Sequence, residues 1–315
     1  MHNIIKNSDK TASLMKRASY SSLCVAVLIV TIKIISWFMT GSLSLLSSLI
    51  DSLLDIVSSL LNLLAIRYAL MPADEDHRFG HGKAEDISTF AQSAFIGGSG
   101  MFIIVEGLNR FVNPVVIENE MIGIYVMIAS TIIAGFLVLF QRHVVKVTGS
   151  TVIRADLFHY KTDMLINLLV VISLLLTIRF GISYLDPIFA MVISAYILKG
   201  AYKVGRDAFD NLMDKEFPDI EREKIYESIL LNQNIRGVHD LRTRQSGIKP
   251  FIQFHLEIDP AVTLRSAHDI SDQVEEKLLE IFPNAEIMIH LDPQDGNLNI
   301  ELDKGWVVPM KNHKQ

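Results

Sequence analysis

The chain has 315 residues, half of them hydrophobic and 20% charged, with a formal net charge of −6 and a mean hydropathy of +0.33. The negative balance lies in residues 210–315, an acidic domain that is a poor candidate for nucleic acid or anionic lipid. The single cysteine, Cys24, excludes an intrachain disulfide and a thiolate-rich metal site, and reads as a small packing residue.

The apolar residues concentrate before about residue 206, in stretches that reach the ~20 helical residues a bilayer core requires. Hydropathy predicts six spans, over roughly 18–39, 43–70, 87–111, 120–141, 152–178 and 184–205. Gly, Ser and Thr recur within them, as in AQSAFIGGSG of the third, where small residues let helices approach closely. The N-terminal stretch before the first span reads as a basic arm and not as a cleavable signal, because no small-residue cleavage site follows a short apolar run.

Lys and Arg set the expected orientation. Thirteen of them flank one side, namely Lys6, Lys10, Lys16, Arg17, Arg67, Arg78, Lys83, Arg142, Lys146, Arg154, Lys199, Lys203 and Arg206. Only Arg110 and Arg179 flank the other. Both termini are therefore expected in the cytoplasm, which requires an even number of spans.

Two carboxylate motifs interrupt the apolar runs. Asp51 and Asp55 are four apart in span two, and His159 and Asp163 repeat that spacing in span five. Residues at i and i+4 project from one helix face, about 6 Å apart along the axis. Ionisable groups in hydrocarbon cost several kcal/mol and mark functional sites. Counted from the span ends, all four lie near mid-membrane, so antiparallel helices can bring three carboxylates and an imidazole around one divalent cation. A dry pair of acids protonates when alone, whereas a metal supplies compensating charge, so metal and protons compete for the same atoms. This suggests coupled exchange, with His159 best placed to titrate near neutrality. The remaining intramembrane charges read as structural: Lys33 and Glu106 snorkel near outer span ends, Lys161 points to the opposite face from His159, and Asp156 and Asp186 sit near span ends.

The loop between spans two and three holds Asp74, His77 and His81 in a D-x2-H-x3-H spacing, with Gly80 and Gly82 supplying the turn. Two imidazoles and a carboxylate make a three-ligand metal site with one open position. The adjacent GHGK lacks the spacing of a phosphate-binding loop, so an ATP-driven pump is unsupported.

From residue 210 the chain becomes charged, with 12 Lys and Arg against 20 Asp and Glu. Its pattern predicts α-β-β-α-β: a helix over 219–231, strands over 235–244 and 251–258, a helix over 265–282 and a last strand EIMIHLD. In FIQFHLEI, Ile252, Phe254, Leu256 and Ile258 face one way while Gln253, His255 and Glu257 face the other. The last strand buries Ile287, Ile289 and Leu291 and turns out Met288, His290 and Asp292. With His239 on the first strand and His268 on the helix flank, the histidines of this small domain point to metal binding. Residues 296–315 are polar and read as a mobile tail.

DSLLD (51–55), DEDHRFGHGKAE (74–85), HYKTD (159–163), VHDLRTRQSG (238–247), FIQFHLE (251–257) and IHLDP (289–293) resemble, in this order, the cation diffusion facilitator family, specifically its bacterial zinc and ferrous-iron efflux branch. The resemblance implies an intramembrane transport site at Asp51, Asp55, His159 and Asp163, and a loop site at Asp74, His77 and His81. It further implies a binuclear site at His239, His255, His268, His290 and Asp292, and a charge pair, Lys83 with Asp214, where two protomers interlock. The implied architecture is a six-helix all-α transmembrane domain over 1–209 and a metallochaperone-like α+β domain over 210–295. The implied activity is proton-coupled export of divalent metal by a homodimer in the bacterial inner membrane, by alternating access. Zn²⁺ suits the donor set best, with Cd²⁺ and Fe²⁺ as further cargoes. A competing reading is a membrane-anchored metal receptor whose spans only signal. A membrane metallohydrolase fares worse, since no H-E-x-x-H occurs.

Overall fold

The computed structural model describes residues 2–40, 43–112, 121–180 and 185–294; residues 296–315 and the side chain of Asp186 lie outside the described set. The chain divides into two compact units, one ending at Met213 and the other beginning at Asp214.

The first unit is built from six long helices: α1 (His2–Thr40), α2 (Leu43–Ala69), α3 (Lys83–Val112), α4 (Met121–Thr148), α5 (Thr151–Phe180) and α6 (Leu185–Leu212). At 1.5 Å per residue, each is long enough for a hydrocarbon core of about 30 Å. Among the described residues, α1, α2, α3, α4 and α6 are also apolar enough to span by composition alone. Helix α5 carries Arg154, Asp156, His159, Lys161 and Asp163 in its first half, and its sequence turns strongly apolar from Leu168 to Leu176. Helices α4 and α6 run past their apolar stretches, to Thr148 and Leu212, because backbone hydrogen bonding continues into water after the hydrocarbon ends. The basic residues Arg142, Lys146 and Arg206 occupy these extensions.

Small residues set the closest approaches. Helix α3 packs along α6, where a side chain on Gly97 would meet the Ala201 Cβ at 3.7 Å and one on Gly107 would meet that of Ala190 at 3.4 Å. Gly200 has a sharper role. A Cβ there would fall 1.9 Å from Cζ of Phe158, so the ring lies directly on the α6 backbone. Phe158 precedes His159, and its seat on α6 helps fix the rotation of α5 about its own axis. Cys24 is exposed and does not pack within the bundle, contrary to the sequence-based expectation, because it lies on the outward face of α1.

The second unit contains α7 (Asp219–Leu230), β1 (Ile235–Ser246), β2 (Lys249–Ile258), α8 (Leu264–Ile281) and β3 (Glu286–Pro293). Its three strands lie in the order β1-β2-β3. Strands β1 and β2 pair antiparallel, while β2 and β3 pair parallel across the α8 crossover. The period-two pattern of β2 is realised: Ile252, Phe254, Leu256 and Ile258 are all buried. They pack with Ala267, Ile270, Val274 and Leu278 of α8 and with Ile225 and Ile229 of α7. Leu230 and Ile281, at the helix ends, are 44% and 42% exposed, so the buried stripes end at Ile229 in α7 and at Leu278 in α8. Thr263 caps α8 by accepting the Ser266 N–H at 3.2 Å.

Candidate metal centre

Among the described residues, three groups of ligand-type side chains converge, each with donor atoms within 4.8 Å of one another. The first joins α2 to α5. His159 Nε2 lies 3.0 Å from Asp55 Oδ1 and 3.5 Å from Asp163 Oδ2. The i, i+4 spacing places His159 and Asp163 on one face of α5, and the packing of α2 on α5 delivers Asp55 to it. Asp51, one helical turn before Asp55, is exposed and stands outside the group. The structure thus assembles three of the four expected residues.

The second group lies in the turn after α2. His81 Nε2 is 3.2 Å from Asp74 Oδ2, and His77 Nδ1 is 3.4 Å from Asp74 Oδ1. Asp74 Oδ1 accepts the backbone N–H groups of His77 at 2.6 Å and Asp76 at 3.1 Å. The His77 N–H bond, above all, holds the Asp74 carboxyl below the ordinary carboxylate range. Gly80, at φ +81°, closes the turn by donating its N–H to the His77 carbonyl at 2.9 Å. His81 is 4% exposed, with Nδ1 buried and unpartnered among the described residues.

The third group sits on the sheet. The pairing register sets His239 opposite His255 and His255 beside His290, so three imidazoles form a row across the strands. Successive ring centroids are 5.0 and 4.6 Å apart. Asp292 gathers them: its Oδ2 is 2.8 Å from His255 Nδ1 and 3.4 Å from His239 Nε2, and its Oδ1 is 3.2 Å from His290 Nε2. His268 does not join this row. It lies on the exposed flank of α8, 3.5 Å from Asp272.

The family model described as the cation efflux transmembrane domain matches residues 19–213, and that of the cation efflux protein cytoplasmic domain matches residues 217–294. The chain belongs to the cation efflux family. The cation-efflux pump FieF of Serratia proteamaculans is 44% identical over 282 residues, covering 90% of this chain and 94% of the relative. That of Pectobacterium carotovorum subsp. carotovorum is 46% identical with the same coverage. The Escherichia coli O1:K1 pump is 43% identical over 280 residues, 89% of this chain and 93% of the relative. The first unit is accordingly the helical transmembrane domain of a multi-pass membrane protein, and the second is the small cytoplasmic domain.

In this cation efflux protein, two charges expected to be structural have a different place. Asp156 is not a tolerated span-end charge. It is 3% exposed and accepts hydrogen bonds from four other helices. Its Oδ2 receives Ser22 Oγ of α1 at 2.7 Å and Gln141 Nε2 of α4 at 2.5 Å. Its Oδ1 receives Asn62 Nδ2 of α2 at 3.2 Å and Gln92 Nε2 of α3 at 3.4 Å. All four partners are donors, which matches the acceptor-only inventory of a carboxylate. Asp156 lies three residues before His159, and Asn62 two turns after Asp55, so this knot fixes the same α2–α5 seam that holds the first group.

Lys33 does not snorkel outward either. Its Nζ donates to Ser52 Oγ at 2.6 Å and to the Ser48 carbonyl at 3.1 Å, drawing it onto α2. Lys161 is exposed, as its position opposite the site requires. Within their own units, Lys83 donates to the Asn211 carbonyl, and Asp214 Oδ2 lies 3.5 Å from Arg244 Nη1. The sheet group has two further carboxylates beyond the expected ligand set. Glu257 is 3.1 Å from His239 Nδ1, and Asp240, at a bulge with φ +49°, is 3.7 Å from His255 Nε2. Alternation along β2 places Glu257 on the His255 face and is the one signal that could have found it.

Proposed function

We propose that the protein exports divalent metal, Zn²⁺ foremost, from the cytoplasm in exchange for protons. It works as a homodimer of the bacterial inner membrane with both termini inside, alternating between two access states. One observation carries this reading: an imidazole and two carboxylates, from two long helices whose remaining residues are mostly apolar, lie within 4.8 Å of one another. Asp51, one turn along α2, is the fourth ligand of the same site. Imidazole with carboxylates suits tetrahedral Zn²⁺, and Cd²⁺ follows as a similar ion. Fe²⁺ binds such donors less tightly, so its export depends on availability.

Each step uses groups already in place. The cargo enters as a bare cation, met by the carboxylates of Asp51, Asp55 and Asp163 and ligated by neutral His159. Protons arriving from the opposite side take the same atoms and release it. Ligands divided between α2 and α5 suit this, because a small displacement of one helix against the other dismantles the shell. Asp74, His77 and His81 form a loop metal site on the cytoplasmic side. His239, His255, His290 and Asp292, with His268 as an outlying ligand, form the regulatory binuclear site of the cytoplasmic domain, which binds Zn²⁺ and strengthens the dimer. Lys83 and Asp214 supply a charge pair between protomers at the membrane boundary. The protein is a transporter and not an enzyme.

Purified protein in sealed vesicles tests this. Zn²⁺ flux is expected to follow an imposed pH gradient in both direction and rate, with Cd²⁺ carried and Fe²⁺ carried less well. Flux indifferent to the gradient refutes the exchange. Replacing His159→Asp gives an oxygen-only shell and is expected to weaken the preference for Zn²⁺ over Mn²⁺. Unchanged selectivity places discrimination elsewhere.

A further inference from the structure

Lys33 is a cation built into an acidic neighbourhood. Its anchor, Ser52, is 2% exposed and lies one residue after Asp51 and three before Asp55. The two bonds from Nζ, to Ser52 Oγ at 2.6 Å and the Ser48 carbonyl at 3.1 Å, tie the ammonium of α1 to α2. Both acceptors are neutral, so the ammonium compensates nearby charge without occupying carboxylate oxygens. Those acceptors lie along the acidic stretch of α2: Ser48 is three residues before Asp51, and Ser52 three before Asp55. Counted together, three carboxylates and one ammonium leave two negative charges, the complement of one divalent ion.

We propose that Lys33 is a tethered counter-cation of the acidic site, opposing the transported ion electrostatically so that the ion is held loosely enough to leave. The inference rests on the reading of Asp55, His159 and Asp163 as the transport site. Without the ammonium, the carboxylates present an excess negative charge, and a divalent ion is trapped. With it, the empty site is partly balanced and the loaded site is neutral. Lys33 is a positioning charge and does not touch the cargo.

The test uses the full chain in detergent, with His77→Ala, His239→Ala and His255→Ala silencing the other two groups. Zn²⁺ binding is measured by calorimetry in mildly alkaline buffer, where protons compete least. Lys33→Gln keeps a hydrogen-bond donor for Ser52 and removes the charge. It is expected to tighten Zn²⁺ binding by about ten-fold or more, as expected for removing a unit charge at short range in a medium of intermediate dielectric. Vesicle turnover in the otherwise native chain is expected to slow in step, through slower release. Lys33→Arg keeps the charge and is expected to bind within about two-fold of the parent, because the field at the site is retained. A merely structural lysine gives the opposite result, weaker binding in the Gln variant, and that outcome or unchanged affinity overturns the proposal. Lys33→Met repeats the measurement if the Gln variant does not fold. Asp55→Ala in the same background separates the two claims. If it abolishes binding while Lys33→Gln fails to tighten it, only the counter-cation is wrong; if it leaves binding intact, the transport-site reading fails and the proposal falls with it.

Discussion

The intramembrane group and the sheet group use the same ligand types but are held in opposite ways. His239, His255 and His290 stand on hydrogen-bonded neighbouring strands, so the pairing register alone sets their spacing. Asp55 and His159 are 104 residues apart, on two helices whose separation depends on side-chain packing and on the Asp156 knot. A ladder of backbone bonds resists sliding, whereas packed helices can exchange one arrangement for another. The first geometry suits a site that stays bound and stabilises a domain; the second suits a site that must open to let its ion go.

The contrast can be broken most forcefully at Asp156. Asp156→Leu leaves four buried donors on four helices without their acceptor, and is expected to cost about 4 kcal/mol or more of stability. Thermal unfolding in detergent should show a large loss in the transmembrane domain, with the metal-dependent behaviour of the cytoplasmic domain unaltered. An unchanged midpoint means the knot does not hold the helices. Next in size is the sheet group. Saturating Zn²⁺ should raise the stability of the cytoplasmic domain by on the order of 3 kcal/mol at a hundred-fold excess over Kd. His239→Ala is expected to remove most of that rise, and a full rise in the variant shows that the row of imidazoles binds nothing there.

These two regions are not equally legible in the sequence. The period-two run from Ile252 to Ile258 reveals β2, its inward face and the outward His255 directly, because strand alternation is a local property. The i, i+4 pairs likewise reveal which faces of α2 and α5 carry the acids. Convergence is harder to read. Ser22, Asn62, Gln92 and Gln141 each look like one stray polar residue in an apolar helix, and only the packing shows that all four point at Asp156. Lys33 reads as snorkelling because its distance from the span end is visible in the sequence, while Ser52 on another helix is not. His268 seems to join the other histidines because a helix stripe fixes its own face but not its rotation over the sheet. Asp51 shares a face with Asp55 in a helical projection, yet one turn of rise is enough to leave it outside the group.

Two smaller effects sharpen the same contrast. Gly200→Ala forces the Phe158 ring off α6, and is expected to cost about 1–3 kcal/mol while disturbing the neighbouring His159. Slowed flux with an unaffected cytoplasmic domain is the anticipated result, and normal flux argues that α5 is positioned by other contacts. The smallest effect concerns Asp74. Its folded-state pKa is lowered, so the turn's stabilisation is present above the ordinary carboxyl value near about 4 and is lost as pH falls through the lower folded value. Amide exchange at His77 should stay protected through the usual carboxyl titration and rise only below it, whereas loss of protection at the ordinary value shows that the backbone bond does not hold the carboxylate.

The most direct measurement compares initial Zn²⁺ flux in vesicles carrying Asp55→Ala with flux in vesicles carrying His239→Ala. Loss of the intramembrane ligand is expected to cut flux by more than about a hundred-fold, since even outer-shell partners of a metal ligand are worth ten- to a hundred-fold, while loss of the sheet ligand lowers it by a few-fold at most. The opposite ranking, with Asp55→Ala transporting normally and His239→Ala silent, would make this a metal receptor whose helices carry no cargo.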